Sequence, residues 1–181
     1  PRDKPVPIWG RALPGQSVTV RVNGQQYLTK ALKDSTWRVS LKPMPGSTRT
    51  FALSVKAGNT SIELNDLCAG DLWLCIGQSN MEWPVAACTD AQKDIEAAKF
   101  PNIRHIKVPL VPSTTPLEDF KSSWQVCSPE TAGGFTACGF FMARQLQKEL
   151  DVPIGLINSS WGGTRVEPWT PPVGFQQVPA L

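Results

Sequence analysis

The sequence predicts an α/β fold with an incomplete parallel sheet, preceded by a small antiparallel β-sandwich module, and three observations carry that prediction. From Pro5 to Asp66, short runs alternate apolar and polar residues between turn signals. After Asp66 the alternation gives way to one continuous apolar run, Leu72-Trp73-Leu74-Cys75-Ile76. Further on, Ala137, Phe140, Phe141, Ala143, Leu146 and Leu150 recur at three- and four-residue intervals and lead directly into Val152-Pro153-Ile154-Gly155-Leu156-Ile157. Period-two alternation marks half-buried strands, an unbroken apolar run marks a strand covered on both faces, and a helix running into such a strand marks a βαβ unit. The predicted division is therefore residues 1–66 for the β module and 67–181 for the N-terminal part of the α/β domain.

Within the β module, Ser17-Val18-Thr19-Val20-Arg21-Val22 and Thr36-Trp37-Arg38-Val39-Ser40-Leu41 are the clearest strands, with Asn23-Gly24 as a hairpin signal between them. Residues 43–46 read as a loop, and Phe51-Ala52-Leu53-Ser54-Val55, Gly58-Asn59 and Ser61-Ile62-Glu63-Leu64 repeat the strand–turn–strand scheme. No cluster of titratable residues falls in this segment, so it suits binding or spacing rather than catalysis. Between residues 87 and 130 the pattern predicts a helix over 91–98, a strand over 102–108 and a Pro- and Thr-rich loop over 109–116. Trp124 is expected either in the core or at the edge of a cleft.

Composition narrows the functions available. With 181 residues, 41% of them apolar, the chain can bury one core or two small ones. A net charge of +3 from 18 basic and 15 acidic residues leaves no basic stripe, which argues against nucleic acid as a partner. No apolar run approaches the roughly 20 residues that span a bilayer, so no membrane partner is expected. The chain opens with Pro1-Arg2-Asp3-Lys4-Pro5 rather than with a signal sequence, which is expected to have been removed or to lie outside the chain. Cys68, Cys75, Cys88, Cys127 and Cys138 show no C-x-x-C spacing, and with a single histidine a zinc cluster finds no support. An odd count leaves at least one thiol unpaired, so disulfides and buried free thiols both stay open. Two N-x-[ST] sequons, at Asn59 and Asn158, would carry sugar only in a secreted eukaryotic protein.

The chemistry centres on Gly77-Gln78-Ser79-Asn80-Met81, directly after the apolar strand. A serine at the carboxyl end of a parallel strand sits where α/β folds place ligands. A preceding glycine permits a tight turn, and the amides that follow can face a developing oxyanion. By itself the same serine reads more readily as a helix cap. Gly162-Gly163 after the later strand is suited to bring a bare N–H against a ligand, or it merely ends a strand and starts a turn.

Two blocks decide between these readings. Asp71-Leu72-Trp73-Leu74-Cys75-Ile76-Gly77-Gln78-Ser79-Asn80-Met81-Glu82 resembles the nucleophile block of the sialate O-acetylesterase family, carbohydrate esterases of the SGNH hydrolase type. Ile154-Gly155-Leu156-Ile157-Asn158-Ser159-Ser160-Trp161-Gly162-Gly163-Thr164, continued by Arg165-Val166-Glu167-Pro168-Trp169, is similar to that family's glycine block. Pro7-Ile8-Trp9-Gly10 and Pro14-Gly15 resemble the small domain ahead of the nucleophile block. The resemblance implies an SGNH-type, flavodoxin-like sheet with Ser79 as nucleophile and an oxyanion amide from Gly162 or Gly163. It implies a substrate rim that includes Gln78, Asn80, Arg165, Glu167 and Trp169. Trp169 is then available to stack on a sugar ring, while Arg165 and Glu167 are equally readable as solvent-exposed residues.

The same resemblance implies a third block with an oxyanion Asn or Gln and a late Asp-x-x-His pair, and this sequence contains neither. His105 lies in the predicted strand Asn102-Ile103-Arg104-His105-Ile106, before the glycine block and with Asn102 three residues ahead of it, and is expected to be structural. The chain closes on Val178-Pro179-Ala180-Leu181 soon after the second block. The expectation is thus the N-terminal portion of a longer enzyme, with its remaining C-terminal part as partner and without esterase activity of its own. The expected reaction removes an O-acetyl group from an acetylated carbohydrate through an acyl-enzyme on Ser79, with no cofactor. The expected location is periplasmic, extracellular or lysosomal. The alternatives are an acetylxylan esterase and a noncatalytic carbohydrate-binding protein that has lost the general base.

Overall fold

The computed structural model describes residues 1–176; the closing segment 178–181, singled out above, lies outside the described residues. The chain divides into two compact units, Pro1–Leu72 with Leu146–Gly155, and Trp73–Gln145 with the chain from Leu156 onward.

The first unit carries β1 (Val6–Arg11), β2 (Ser17–Val22), β3 (Gln25–Lys30), β4 (Thr36–Leu41), β5 (Ser47–Ala57) and β6 (Thr60–Ala69). β1 pairs antiparallel with β4, and β3-β2-β5-β6 form a four-stranded antiparallel sheet. The alternation dictates the core. Val18, Val20 and Val22 of β2 point inward with Trp37, Val39 and Leu41 of β4 and Leu53 of β5, while the residues between them face out. Both sheets thus contribute to one apolar cluster, and Val6 and Ile8 of β1 pack against it. The second hairpin is longer than its sequence pattern suggests: β5 starts at Ser47 and β6 continues to Ala69, through Asp66 in a positive-φ conformation.

After Gly70 come β7 (Asp71–Gly77), α1 (Ser79–Glu82), α2 (Ala91–Glu96), β8 (Phe100–Lys107), β9 (Gln125–Cys127), α3 (Ala137–Leu150), β10 (Ile154–Ser160) and α4 (Pro172–Gln176), with 3-10 turns at Val85–Ala87, Ala132–Gly134 and Glu167–Trp169. Strands β7-β10-β8-β9 make one sheet in that order. At one end of the β7–β10 pair the Asp71 N–H donates to the Pro153 carbonyl, and at the other the Trp161 N–H donates to Gly77, both at 2.9 Å. β10 alternates strictly, with Ile154, Leu156, Asn158 and Ser160 buried. α3 buries Ala137, Phe140 and Ala143, and Arg144 on the same helix pairs with Asp94 of α2 at 2.7 Å.

Two expectations need correction, one is narrowed and one strand is added. Among the described residues β7 is not covered on both faces: it stands at the edge of its sheet there, and Leu72, Trp73, Leu74 and Ile76 are 41–61% exposed, with Cys75 alone buried. An apolar run has the same spelling whether or not a neighbour covers it. Phe141 and Leu150 fall on the open side of α3 rather than on its buried face. Of the two places expected for Trp124 the core is excluded, since the residue is 45% exposed in irregular chain. β9, three residues long and paired antiparallel to β8, was not foreseen, because so short a run carries no periodicity.

Candidate active site

The site forms where β7 stops. Gly77, at φ +147°, turns the chain out of the sheet, and Gln78 holds the capping position of α1 without a side-chain cap bond. Ser79 is therefore the first residue of the helix and not its cap, which removes the capping alternative. Its side chain is exposed, and its hydroxyl makes no hydrogen bond to a described residue. A cavity of 450 Å³ opens over it, lined by Gly77, Gln78, Ser79, Asn80, Met81 and Cys138. The Cys138 thiol, at the start of α3, lies 3.5 Å from the Asn80 carbonyl, and the Ala137 N–H donates to the Trp83 carbonyl at 2.8 Å, so α3 holds this turn from behind.

The glycine loop runs alongside. Besides the Trp161–Gly77 bond, the Gln78 Nε2 amide donates to the Thr164 carbonyl at 2.9 Å, tying the two segments at both ends. Between these ties Gly162 comes against the serine: a Cβ built on it would lie 3.4 Å from Ser79 Oγ, 3.5 Å from Ser79 Cα and 2.9 Å from Glu82 Oε2. A side chain there would press on the Glu82 carboxylate, whereas its contact with Ser79 would be an ordinary one. Gly163 differs, since its φ is +75° and open space surrounds its missing side chain.

Beside the serine lies a pair that the two motifs did not single out by role. Glu82 Oε2 accepts the Gly162 N–H at 2.5 Å, and Glu82 Oε1 accepts from Lys107 Nζ at 3.1 Å. Lys107 also donates to the Ser160 carbonyl at 3.0 Å, and the buried Ser160 hydroxyl donates to Asn158 Oδ1 at 2.5 Å. The Gly162 amide first, and Lys107 second, hold the Glu82 carboxyl below the usual glutamate range against the opposing effect of burial. The N–H of Gly163 finds no acceptor among the described residues.

The remaining predicted residues spread along the rim and beyond it. Gln78 and Asn80 line the cavity; Arg165, Glu167 and Trp169 do not. Arg165 and Glu167 are exposed, and the Trp169 indole N–H donates to Thr164 Oγ1 at 2.8 Å, which fixes that ring to the glycine loop. His105 is far from a base's situation. It is 2% exposed on β8, its ring stacks on Phe135 at 4.5 Å, Nε2 has no partner among the described residues, and burial, then the charge of Lys107, push its pKa down to about 4. Among the described residues no three His, Cys, Asp or Glu side chains gather as metal ligands, and no helix is long and apolar enough to cross a membrane. The sequon at Asn158 is buried, whereas Asn59 stands exposed at the β5–β6 turn.

Glu82 was legible in principle. It closes the first block and lies three residues after Ser79, which places both on the same side of a helical turn. Nothing in the sequence marks Lys107 or Cys138.

Comparison with known proteins shows the family. The family model described as "Carbohydrate esterase, sialic acid-specific acetylesterase" matches residues 69–178. The chain is 34% identical to the mouse sialate O-acetylesterase and 33% identical to the human one, over 90% of its own length. It spans 34% and 35% of the lengths of those two relatives. A crystal structure of a carbohydrate acetylesterase from Xanthomonas citri superposes with a TM-score of 0.94 at 34% identity, covering 98% of this chain and 41% of that one.

Proposed function

We propose that this chain, which belongs to the sialic acid-specific acetylesterase family of carbohydrate esterases, supplies the nucleophile and part of the oxyanion hole of an enzyme that removes O-acetyl groups from sugars. The observation that carries this reading is the exposed Ser79 hydroxyl, unpartnered at the end of β7, with Gly162 bare against it. Ser79 Oγ attacks the acetyl carbonyl and passes its proton to a histidine base. The sugar hydroxyl leaves with that proton, and water then releases acetate from the acyl-serine. A hydroxyl is a weak nucleophile without such a base, and His105 is buried, so on this reading the base comes from outside this chain and residues 1–181 alone are inactive.

The finer architecture belongs to the same proposal. The matched ends of β7 and β10 support a parallel, SGNH-type sheet, and the apolar cluster shared by two antiparallel sheets supports a β-sandwich module that runs past the expected boundary at residue 66 to the end of β6 at Ala69. Gln78 and Asn80 are read as substrate-binding residues from their place in the cavity wall, with Arg165, Glu167 and Trp169 farther out on the rim. Export to the periplasm, the extracellular space or the lysosome is the location that accompanies a sugar-ester substrate.

The test uses the full-length protein. A fluorophosphonate probe is expected to label Ser79, and Ser79→Ala is expected to lower turnover of an aryl acetate by more than about a thousandfold at unchanged melting temperature. An unlabelled serine together with no turnover points instead to a noncatalytic carbohydrate-binding protein, and activity that survives the substitution removes Ser79 as the nucleophile.

A further inference from the structure

We propose that Glu82 is a positioning residue: by taking up the Gly162 amide, it holds the bare α-carbon of Gly162 against Ser79 and leaves Gly163 as the amide of the glycine loop available to an oxyanion. This inference rests on the reading of Ser79 as nucleophile. It starts from the assignment of hydrogen bonds around one carboxylate. Glu82 Oε2 takes the Gly162 N–H at 2.5 Å and Oε1 takes Lys107 Nζ at 3.1 Å, so each oxygen has a donor. The Gly162 N–H cannot serve a substrate oxygen while a carboxylate holds it, because bonds to an ionised acceptor are shorter and stronger than neutral ones. The Gly163 N–H, one residue on, has no acceptor among the described residues.

Lys107 makes the arrangement tolerable for an ester hydrolase. An uncompensated carboxylate beside the nucleophile would repel the negative charge that develops on the carbonyl oxygen, whereas a carboxylate paired with an ammonium presents little net charge. Lys107 is itself fixed, through the Ser160 carbonyl and the buried Ser160–Asn158 pair, to the end of the same strand that delivers the glycine loop. Lys107 is the one charged group recorded against Glu82 among the described residues. The ties through Gln78 and Trp161 set the spacing of loop and turn, and Glu82 sets the orientation of the peptide between them.

Glycine-selective 15N labelling of the full-length protein tests the contact without reference to activity. The Gly162 amide proton is expected downfield of the other glycine amides and is expected to move only as Glu82 protonates, below the ordinary glutamate range of about 4.3. Glu82→Gln should abolish both the titration and the downfield position. The same variant is expected to lower kcat for an aryl acetate about a hundredfold with KM little changed, the cost of a reacting group displaced by about an ångström, and Glu82→Asp should recover part of it. A Gly162 amide that does not respond to acid overturns the contact, and so decides the question even if Glu82→Gln fails to fold. A folded Glu82→Gln enzyme with kcat within about twofold of wild type overturns the positioning role. Failure of the nucleophile reading shows separately, as a wild-type Ser79 that resists the fluorophosphonate while the Gly162 titration persists.

Discussion

The turn after β7 and the middle of β8 each carry a side chain of the kind that hydrolyses esters, and they treat it in opposite ways. Ser79 is exposed at a strand end, with its hydroxyl unpartnered and a glycine against it. His105 is sealed between strand and Phe135, with its protonated form disfavoured to a pKa of about 4. A base must reach the proton it removes, and a ring with 2% exposure does not. Residue type is therefore a poor guide to reactivity, and place in the fold a good one.

The largest test of that contrast is Gly162→Ala. The added methyl would sit 2.9 Å from Glu82 Oε2, so the carboxylate that holds the Gly162 amide must yield, and 3.4 Å from Ser79 Oγ, an ordinary contact. Turnover of an aryl acetate by the full-length protein is expected to fall about a hundredfold, as it does when a reacting group is displaced by an ångström. Steady-state kinetics beside His105→Phe, which should keep kcat within about twofold, would sharpen the comparison. Equal losses from both substitutions would erase it.

Much of the turn that carries Ser79 was legible, and much of its surroundings was not. The alternation of Val18, Val20 and Val22 and the spacing around Phe140 and Ala143 encode burial directly, because strand and helix periods choose a face locally. The serine and glycine blocks were legible because each demands several particular residues in a fixed order. The exposure of β7 among the described residues was not legible, because its apolar residues say nothing of what lies beside them and strand order is not local. Lys107 was invisible for the same reason: it meets Glu82 only through the pairing of β8 with β10.

The burial of His105 carries a pH signature. The folded chain binds its proton more weakly than the unfolded chain, whose histidine titrates near 6.5, so its contribution is complete above pH 6.5 and is lost as pH falls toward about 4. On the order of 3 kcal/mol is at stake, from the size of that shift at 1.36 kcal/mol per unit. Glu82 is held below the usual glutamate range, so its own loss of stability comes at lower pH. Urea unfolding across this window is expected to show the decline in the wild type and a flatter profile in His105→Phe, which keeps the stack on Phe135. A wild-type protein as stable at pH 5 as at pH 7 would mean that His105 is not buried in solution.

The smallest effect separates the two neighbouring glycines. Gly162 is required for space and Gly163 for conformation: its φ is +75°, and nothing lies within 4 Å of where its Cβ would stand. Gly163→Ala therefore meets no neighbour and costs only the left-handed strain of an L residue, about 1–2 kcal/mol, while its backbone N–H stays where it is. Thermal unfolding should register that loss and kcat should change by no more than a few fold, the reverse of the pattern at Gly162, where activity falls more than stability. If Gly163→Ala instead costs as much activity as Gly162→Ala, the two positions do not differ in the way the backbone suggests, and the loop moves as one piece when substrate binds.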